Sequence, residues 1–218
     1  MKDIKQKEEE NEEDEEEKEE EDIPEIKTIL LGESGVGKSN LANASIDLRF
    51  DPNSKSTVNP VFVKKKIVIF GKNFELKLWD TAGLEQYRAL NKLFYKNSNV
   101  VIFVYDITNR KSFEELNYWI KEIKDNLGDE PILGILGNKN DLEDSKEVDD
   151  DMAKKFAEKK GIKFQVVSVK DNPKNFKIFL RSLVKEYLKK SGKVDITNRS
   201  DIDSEFYNNN NQGSCSIY

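Results

Sequence analysis

Histidine is absent from the 218 residues, and cysteine occurs once, at Cys215. The first absence removes His-based triads, imidazole general bases and His-ligated metals together. Any catalysis must therefore come from positioning, carboxylates, backbone dipoles or a bound metal ion. The second excludes an intrachain disulfide framework and suits a reducing compartment. No apolar run approaches the ~20 residues of a membrane span, and the N-terminus is too acidic for a secretory signal. Charge, by contrast, is plentiful: 36 Lys and Arg against 42 Asp and Glu, a net of −6. The imbalance is local. Residues 1–22 hold 14 acidic and 4 basic side chains, a net of −10, which leaves +4 for residues 23–218. A mildly positive body suits a polyanionic ligand.

The acidic stretch 1–22 has too little apolar surface to offset ordering entropy and reads as a disordered tail. Residues 193–218, with an asparagine run at 208–211, read as a flexible C-terminal tail. Between them, 23–192 reads as one domain of alternating strand and helix signals. Strands are predicted at Ile26–Gly32, Val61–Phe70, Asn73–Asp80, Asn99–Tyr105, Pro131–Leu136 and Ile162–Val167. Helices are predicted at Ser39–Ile46, Ser112–Asn126, Val148–Lys160 (stopped by Gly161) and Pro173–Lys190. Gly71-Lys72 between the second and third strands predicts a hairpin, hence one antiparallel edge strand. The expected fold is α/β: an open, mostly parallel six-stranded sheet with helices on both faces and ligand loops at the strands' carboxyl ends.

The organising stretch is GESGVGKS, residues 32–39. Gly32, Gly37, Lys38 and Ser39 fill the pattern G-x-x-x-x-G-K-[ST]. Glycines let the backbone curl so that its N–H groups cradle phosphate oxygens, Lys38 reaches the β/γ-phosphates, and the Ser39 hydroxyl is a Mg²⁺ ligand. A strand before it and a helix after it supply the context that the motif requires. WDTAG (Trp79–Gly83) closes the third strand 41 residues after Ser39; Asp80 there can hold Mg²⁺ through water, and the Gly83 amide can face a γ-phosphate. NKND (Asn138–Asp141) follows the fifth strand. A carboxylate accepting two N–H bonds from a guanine edge rejects adenine, which lacks that donor pair.

Taken in order, GESGVGKS, Thr57, WDTAG, NKND and SVK (Ser168–Lys170) resemble the nucleotide site of a Ras-superfamily small GTPase, over residues 25–190. KLWDTAG, VYDIT, SFEELNYWIKEI and AKKFAEKKGIKF resemble the Rab branch most. The resemblance implies a P-loop small G domain that binds GTP or GDP with Mg²⁺. The nucleotide would be held by Ser34, Gly35, Val36, Gly37, Lys38, Ser39, Asn40, Phe50, Thr57, Gly83, Asn138, Lys139, Asp141, Ser168, Val169 and Lys170. Ser39, Thr57 and Asp80 would take the metal, and Lys38, Thr57, Gly83 and position 84 would serve hydrolysis. Phe50 matches the aromatic that packs on the guanine. Residues 50–62 and 83–96 would meet effectors, an exchange factor and a GTPase-activating protein. The expected protein is a monomer on the cytosolic face of endomembranes, with no nucleic-acid partner.

Three departures stand out. TVNPVF (Thr57–Phe62) replaces the Rab pattern TIGVDF; Pro60 is expected to remove a backbone donor from the edge strand, and the loss of an acid at 61 to alter effector choice. Leu84 stands where the family glutamine orients the attacking water; leucine can neither donate nor accept, so slow intrinsic hydrolysis is expected unless a partner supplies the groups. The chain ends CSIY, with Cys215 at the position of a prenylation box but an atypical terminal tyrosine. Two readings stay open: a Rab-like switch in vesicle traffic, and a constitutively GTP-bound scaffold that does not turn over. A P-loop kinase of small metabolites would need an acceptor lid that is not evident.

Overall fold

The computed structural model describes residues 23–54, 57, 59–82 and 88–194, with the backbone alone at 88–91. Six strands form one sheet in the order β2-β3-β1-β4-β5-β6. They are β1 (Glu25–Leu31), β2 (Val61–Ile69), β3 (Lys72–Asp80), β4 (Val100–Asp106), β5 (Ile132–Asn138) and β6 (Lys163–Val166). Only β2 pairs antiparallel, with β3; β1 runs parallel to β3 and β4, and β5 to β4 and β6. The expected architecture is therefore present, including its single antiparallel edge strand.

Every residue of β4 is buried, as its uninterrupted apolar run requires for a central strand covered on both faces. On one face, α1 (Lys38–Ser45) and α6 (Pro173–Lys190) bury Leu41, Phe176, Leu183 and Leu188 with Ile26 and Leu30. On the other, α2 (Arg88–Tyr95), α3 (Arg110–Glu114), α4 (Leu116–Leu127) and α5 (Asp150–Lys160) bury Tyr95, Phe113, Trp119 and Ala157 with Ile29 and Phe103. Val194, just past the expected domain end at 192, is also buried in the first cluster.

Local chemistry corrects several boundaries. The hairpin turn is Phe70-Gly71, both at positive φ, with Lys72 already paired to Ile69 in the ladder. That pair of left-handed residues is what a two-residue hairpin requires, and it sits one position earlier than Gly71-Lys72. Pro60 precedes β2, which starts at Val61, so it removes no ladder bond. The helix expected over 112–126 begins at Arg110, because the Asn109 side chain accepts from the Ser112 amide; it runs as two segments, α3 and α4, that meet at Glu115. Asp149 caps α5 through the Met152 amide at 2.9 Å, so this helix starts at Asp150 and not at Val148. Helix α2 had no counterpart among the predicted helices, and neither had a short 3₁₀ turn over Asn140–Ser145.

The parallel register brings the strand ends level: Leu30 faces Asp80, Leu31 faces Phe103, Asp106 faces Asn138, and Gly137 faces Val166. All the loops that follow these residues open along one edge of the sheet.

Candidate functional site

At that edge lies a cavity of about 430 Å³. Thirteen of the expected positions line it: Ser34, Gly35, Gly37, Lys38, Ser39, Asn40, Phe50, Thr57, Asn138, Lys139, Asp141, Val169 and Lys170. The structure adds Asp51, Pro52, Ser54, Thr81 and Leu142 to the wall. Val36, Asp80 and Ser168 stand behind it. Val36 turns its side chain into the core. Gly83, Leu84 and Cys215 lie outside the described residues, as do the expected tails but for Lys193 and Val194.

The loop after β1 leaves no room for side chains at two points. A Cβ on Gly32 (φ 151°) would sit 2.1 Å from the Val104 carbonyl oxygen, and one on Gly37 (φ 99°) would sit 2.4 Å from Asn138 Nδ2. Both backbone angles also lie where L-residues are strained. Glycine is thus required by close approach as well as by the curl of the loop. Lys38, buried at the start of α1, folds its Nζ back to the Gly32 and Glu33 carbonyls at 2.8 and 2.9 Å. Burial pushes its ammonium down to about 8, against the opposing pull of the Asp80 and Glu33 charges. A cation held in this position strongly favours an incoming anion.

Three oxygens of the hard-metal type gather beside it. Ser39 Oγ donates to Asp80 Oδ2 at 2.7 Å, Thr57 Oγ1 donates to the same oxygen at 2.9 Å, and the two hydroxyls lie 3.0 Å apart. Asp80 Oδ1 is buried with no hydrogen-bond partner among the described residues. A buried carboxylate oxygen without a donor is costly, and a cation would relieve it. One carboxylate with two hydroxyls is a sparse set that suits Mg²⁺, which keeps waters and binds substrate phosphates as well. The residues present fit the metal.

Asn138 joins the phosphate loop to the loop after β6. Its Nδ2 donates to the Val36 carbonyl at 2.9 Å, and its Oδ1 accepts from the Val169 amide at 3.2 Å. Asp141 accepts from Ser168 Oγ at 2.7 Å and pairs with Lys170 at 3.4 Å. Burial pushes the Asp141 carboxyl up, but Ser168, its own amide and Lys170 together hold it below the ordinary carboxylate range. Lys139, at φ 70°, pairs with Asp106 at 2.6 Å. Asp106 also accepts from the Thr108 amide and hydroxyl. Sequence reasoning missed it as a support of this loop; its signal was an acid that ends a strand of apolar residues. The Asn40 side chain is occupied by the Asp51 backbone, donating to its carbonyl at 3.0 Å and accepting from its amide at 2.8 Å. That pair of bonds fixes the chain next to Phe50.

A second feature was not foreseen. Phe62, Trp79 and Phe94 form a row of rings, with centroids 4.7 and 5.1 Å apart, and Lys27 Nζ lies over Trp79 at 5.3 Å. Phe62 is 43% exposed. No clear signal for it lies in the sequence, because β2 reads VFVKKKIVI, with no alternation to mark which way Phe62 faces.

A phosphate loop, a hydroxyl–carboxylate cluster and an Asn-Lys-x-Asp loop around one cavity define a nucleotide-binding protein of the P-loop class. A model of the Ras family matches residues 27–189, and the chain belongs to that family. It is 36% identical over 168 residues to the Ras-related protein YPTC6 of Chlamydomonas reinhardtii, covering 77% of this chain and 78% of that one. Ras-related protein Rab-21 of Geodia cydonium is 40% identical over 154 residues, 71% of this chain and 67% of the relative. Ras-related protein Rab-2B of Dictyostelium discoideum is 41% identical over 144 residues, 66% and 71% respectively. The chain is a Ras-superfamily small GTPase that resembles the Rab proteins.

Proposed function

We propose that this protein is a Rab-like GTP/GDP switch that regulates vesicle traffic by recruiting effectors on the cytosolic face of internal membranes. The observation that supports the reading most is the single cavity on which the phosphate loop, the Ser39–Thr57–Asp80 cluster and Asp141 converge. The phosphates would lie against the loop amides and Lys38. Mg²⁺ bound at Ser39, Thr57 and Asp80 would offset phosphate charge. Thr57, which lies between α1 and β2, would couple the phosphate end of the cavity to residues 50–62. The guanine would lie against Phe50, its edge read by Asp141, with Ser168, Val169 and Lys170 closing that end. Residues 50–62 and 83–96, together with the Phe62–Trp79–Phe94 row, form the proposed effector surface, which exchange and activating proteins would also address. The rest of the proposal is a monomeric body with an acidic N-terminal arm and a C-terminal tail anchored through a lipidated Cys215.

Leu84 supports slow intrinsic hydrolysis, because the side chain at that position has no atom with which to orient water. The same residue favours the second reading, a scaffold that holds GTP without turning it over. Single-turnover hydrolysis of bound GTP by the natural protein and by Leu84→Gln tests this. Family rates with the glutamine are on the order of 10⁻⁴ s⁻¹, so the assay runs for hours. A natural protein far slower than Leu84→Gln supports the reading; equal rates refute it and make the protein an ordinary cycling switch.

A further inference from the structure

Helix α6 is strongly one-sided in charge: six of its residues are Lys or Arg, and Glu186 is the single acid. Lys174, Lys177, Arg181, Lys185 and Lys189 recur every three or four positions. At 3.6 residues per turn they share one face, spread over about 120° of arc and roughly 22 Å of length. The opposite face, from Phe176 to Leu188, is in the core. This stripe runs beside the outer edge of the sheet. Arg181 donates to the Val68 carbonyl at 2.6 Å, and the Lys185 and Lys189 ammoniums lie 5.6 and 5.5 Å from the Phe70 ring of the β2–β3 turn. At its other end Lys177 and Lys65 share Asp47. The nucleotide cavity uses none of the five.

The chain carries its own counterpart. Residues 8–22 comprise 13 acids and one lysine. They join the body at Ile23–Pro24, where the Pro24 carbonyl accepts from the Glu75 amide at 3.1 Å. Glu75 is three residues from Lys72, at the start of β3, so the junction lies about 10 Å from the turn under Lys185 and Lys189. An extended chain advances about 3.3–3.6 Å per residue, so ten residues of the arm cover both that gap and the length of the stripe.

We propose that residues 8–22 dock along the basic stripe of α6 as an intramolecular clasp that also covers the exposed edge of β2. Each exposed ion pair is weak by itself. The tether compensates by giving the arm a high effective concentration at the stripe, whereas a free acidic partner would have none of that advantage.

The test uses the full chain with Cys215→Ser and Glu15→Cys, a nitroxide at residue 15, and ¹⁵N amide spectra. The expected result at low salt is loss of amide signal along residues 174–189 and at the 68–72 turn. The signal should return at about 1 M salt, where the screening length is about 3 Å. It should also return in Lys174→Gln/Lys185→Gln/Lys189→Gln. The salt titration stands on its own should that variant fold poorly. No selective loss overturns the proposal. So does loss confined to another surface, such as Lys27, Lys64 and Lys77 on the sheet face, or loss seen only between labelled and unlabelled copies in a mixed sample. Anionic vesicles that broaden α6 where the arm does not would assign the stripe to a membrane and overturn it too.

Discussion

Replacing Asn138 with alanine removes two bonds at once. The Val36 carbonyl and the Val169 amide, both on buried residues, lose the side-chain partners they hold at 2.9 and 3.2 Å. An orphaned buried group costs about 1–3 kcal/mol, so allowing for partial relaxation the loss is about 2–4 kcal/mol. For a domain of this size that lowers Tm by roughly 5–15 °C. Gly37→Ala attacks the same joint from the other side, because its Cβ would lie 2.4 Å from Asn138 Nδ2. Asn138 must move and give up the same bonds, and a positive φ adds about 1–2 kcal/mol of strain. The single Gly37→Ala change should therefore cost about 3–6 kcal/mol. In the double variant the clash is gone and the bonds are already lost, so the total should also be about 3–6 kcal/mol. The coupling energy is then about 2–4 kcal/mol, well beyond the few tenths seen for independent sites. Urea unfolding of the four proteins in EDTA, without added nucleotide, measures it. Additive costs within about 0.5 kcal/mol would refute the claim that Asn138 sets the need for glycine at 37.

The hydroxyl–carboxylate cluster predicts that Ser39→Ala or Asp80→Asn makes release of a fluorescent GDP fast and insensitive to EDTA, whereas chelation should accelerate release from the natural protein; a variant that keeps the EDTA response would contradict the assignment. Asp141 predicts a pH effect. Its folded-state value lies below the ordinary 3.8, so it contributes stability that is present above that value and is lost as pH falls through the depressed one. Asp141→Asn should lower the neutral plateau and flatten the acid limb of the stability curve below about pH 4, so that the two curves converge in acid. Acid titrations followed by tryptophan fluorescence compare the two, and identical acid limbs would count against the Ser168 and Lys170 contacts as its cause.

Much of this was legible before any coordinates. The unbroken apolar run of β4 could only be a central strand, and the phosphate loop announced both the strand before it and the helix after it. What the sequence hid was mostly geometry at second remove. The hairpin turn uses Phe70 at positive φ, a position where propensity favours Asn or Gly, and the buried ring under Lys185 and Lys189 outweighs that preference. Helix α2 lay inside a segment read only as a partner surface. Asn138 was read as part of a base-recognition motif, yet its side chain bonds to Val36 and Val169, 102 and 31 residues away. No local pattern encodes such separations. Asp106 and the Asn40–Asp51 clasp escaped for the same reason.

The most direct test of the account is competition at equilibrium against a fluorescent guanine nucleotide, with GDP and ADP in parallel, on the full chain in Mg²⁺. Hydrogen-bond selection of this kind discriminates by about 10⁴ or more. The account predicts that GDP displaces the probe at concentrations lower than ADP by a factor of that order, and that Asp141→Asn erodes most of the difference. Equal competition by ADP would contradict it.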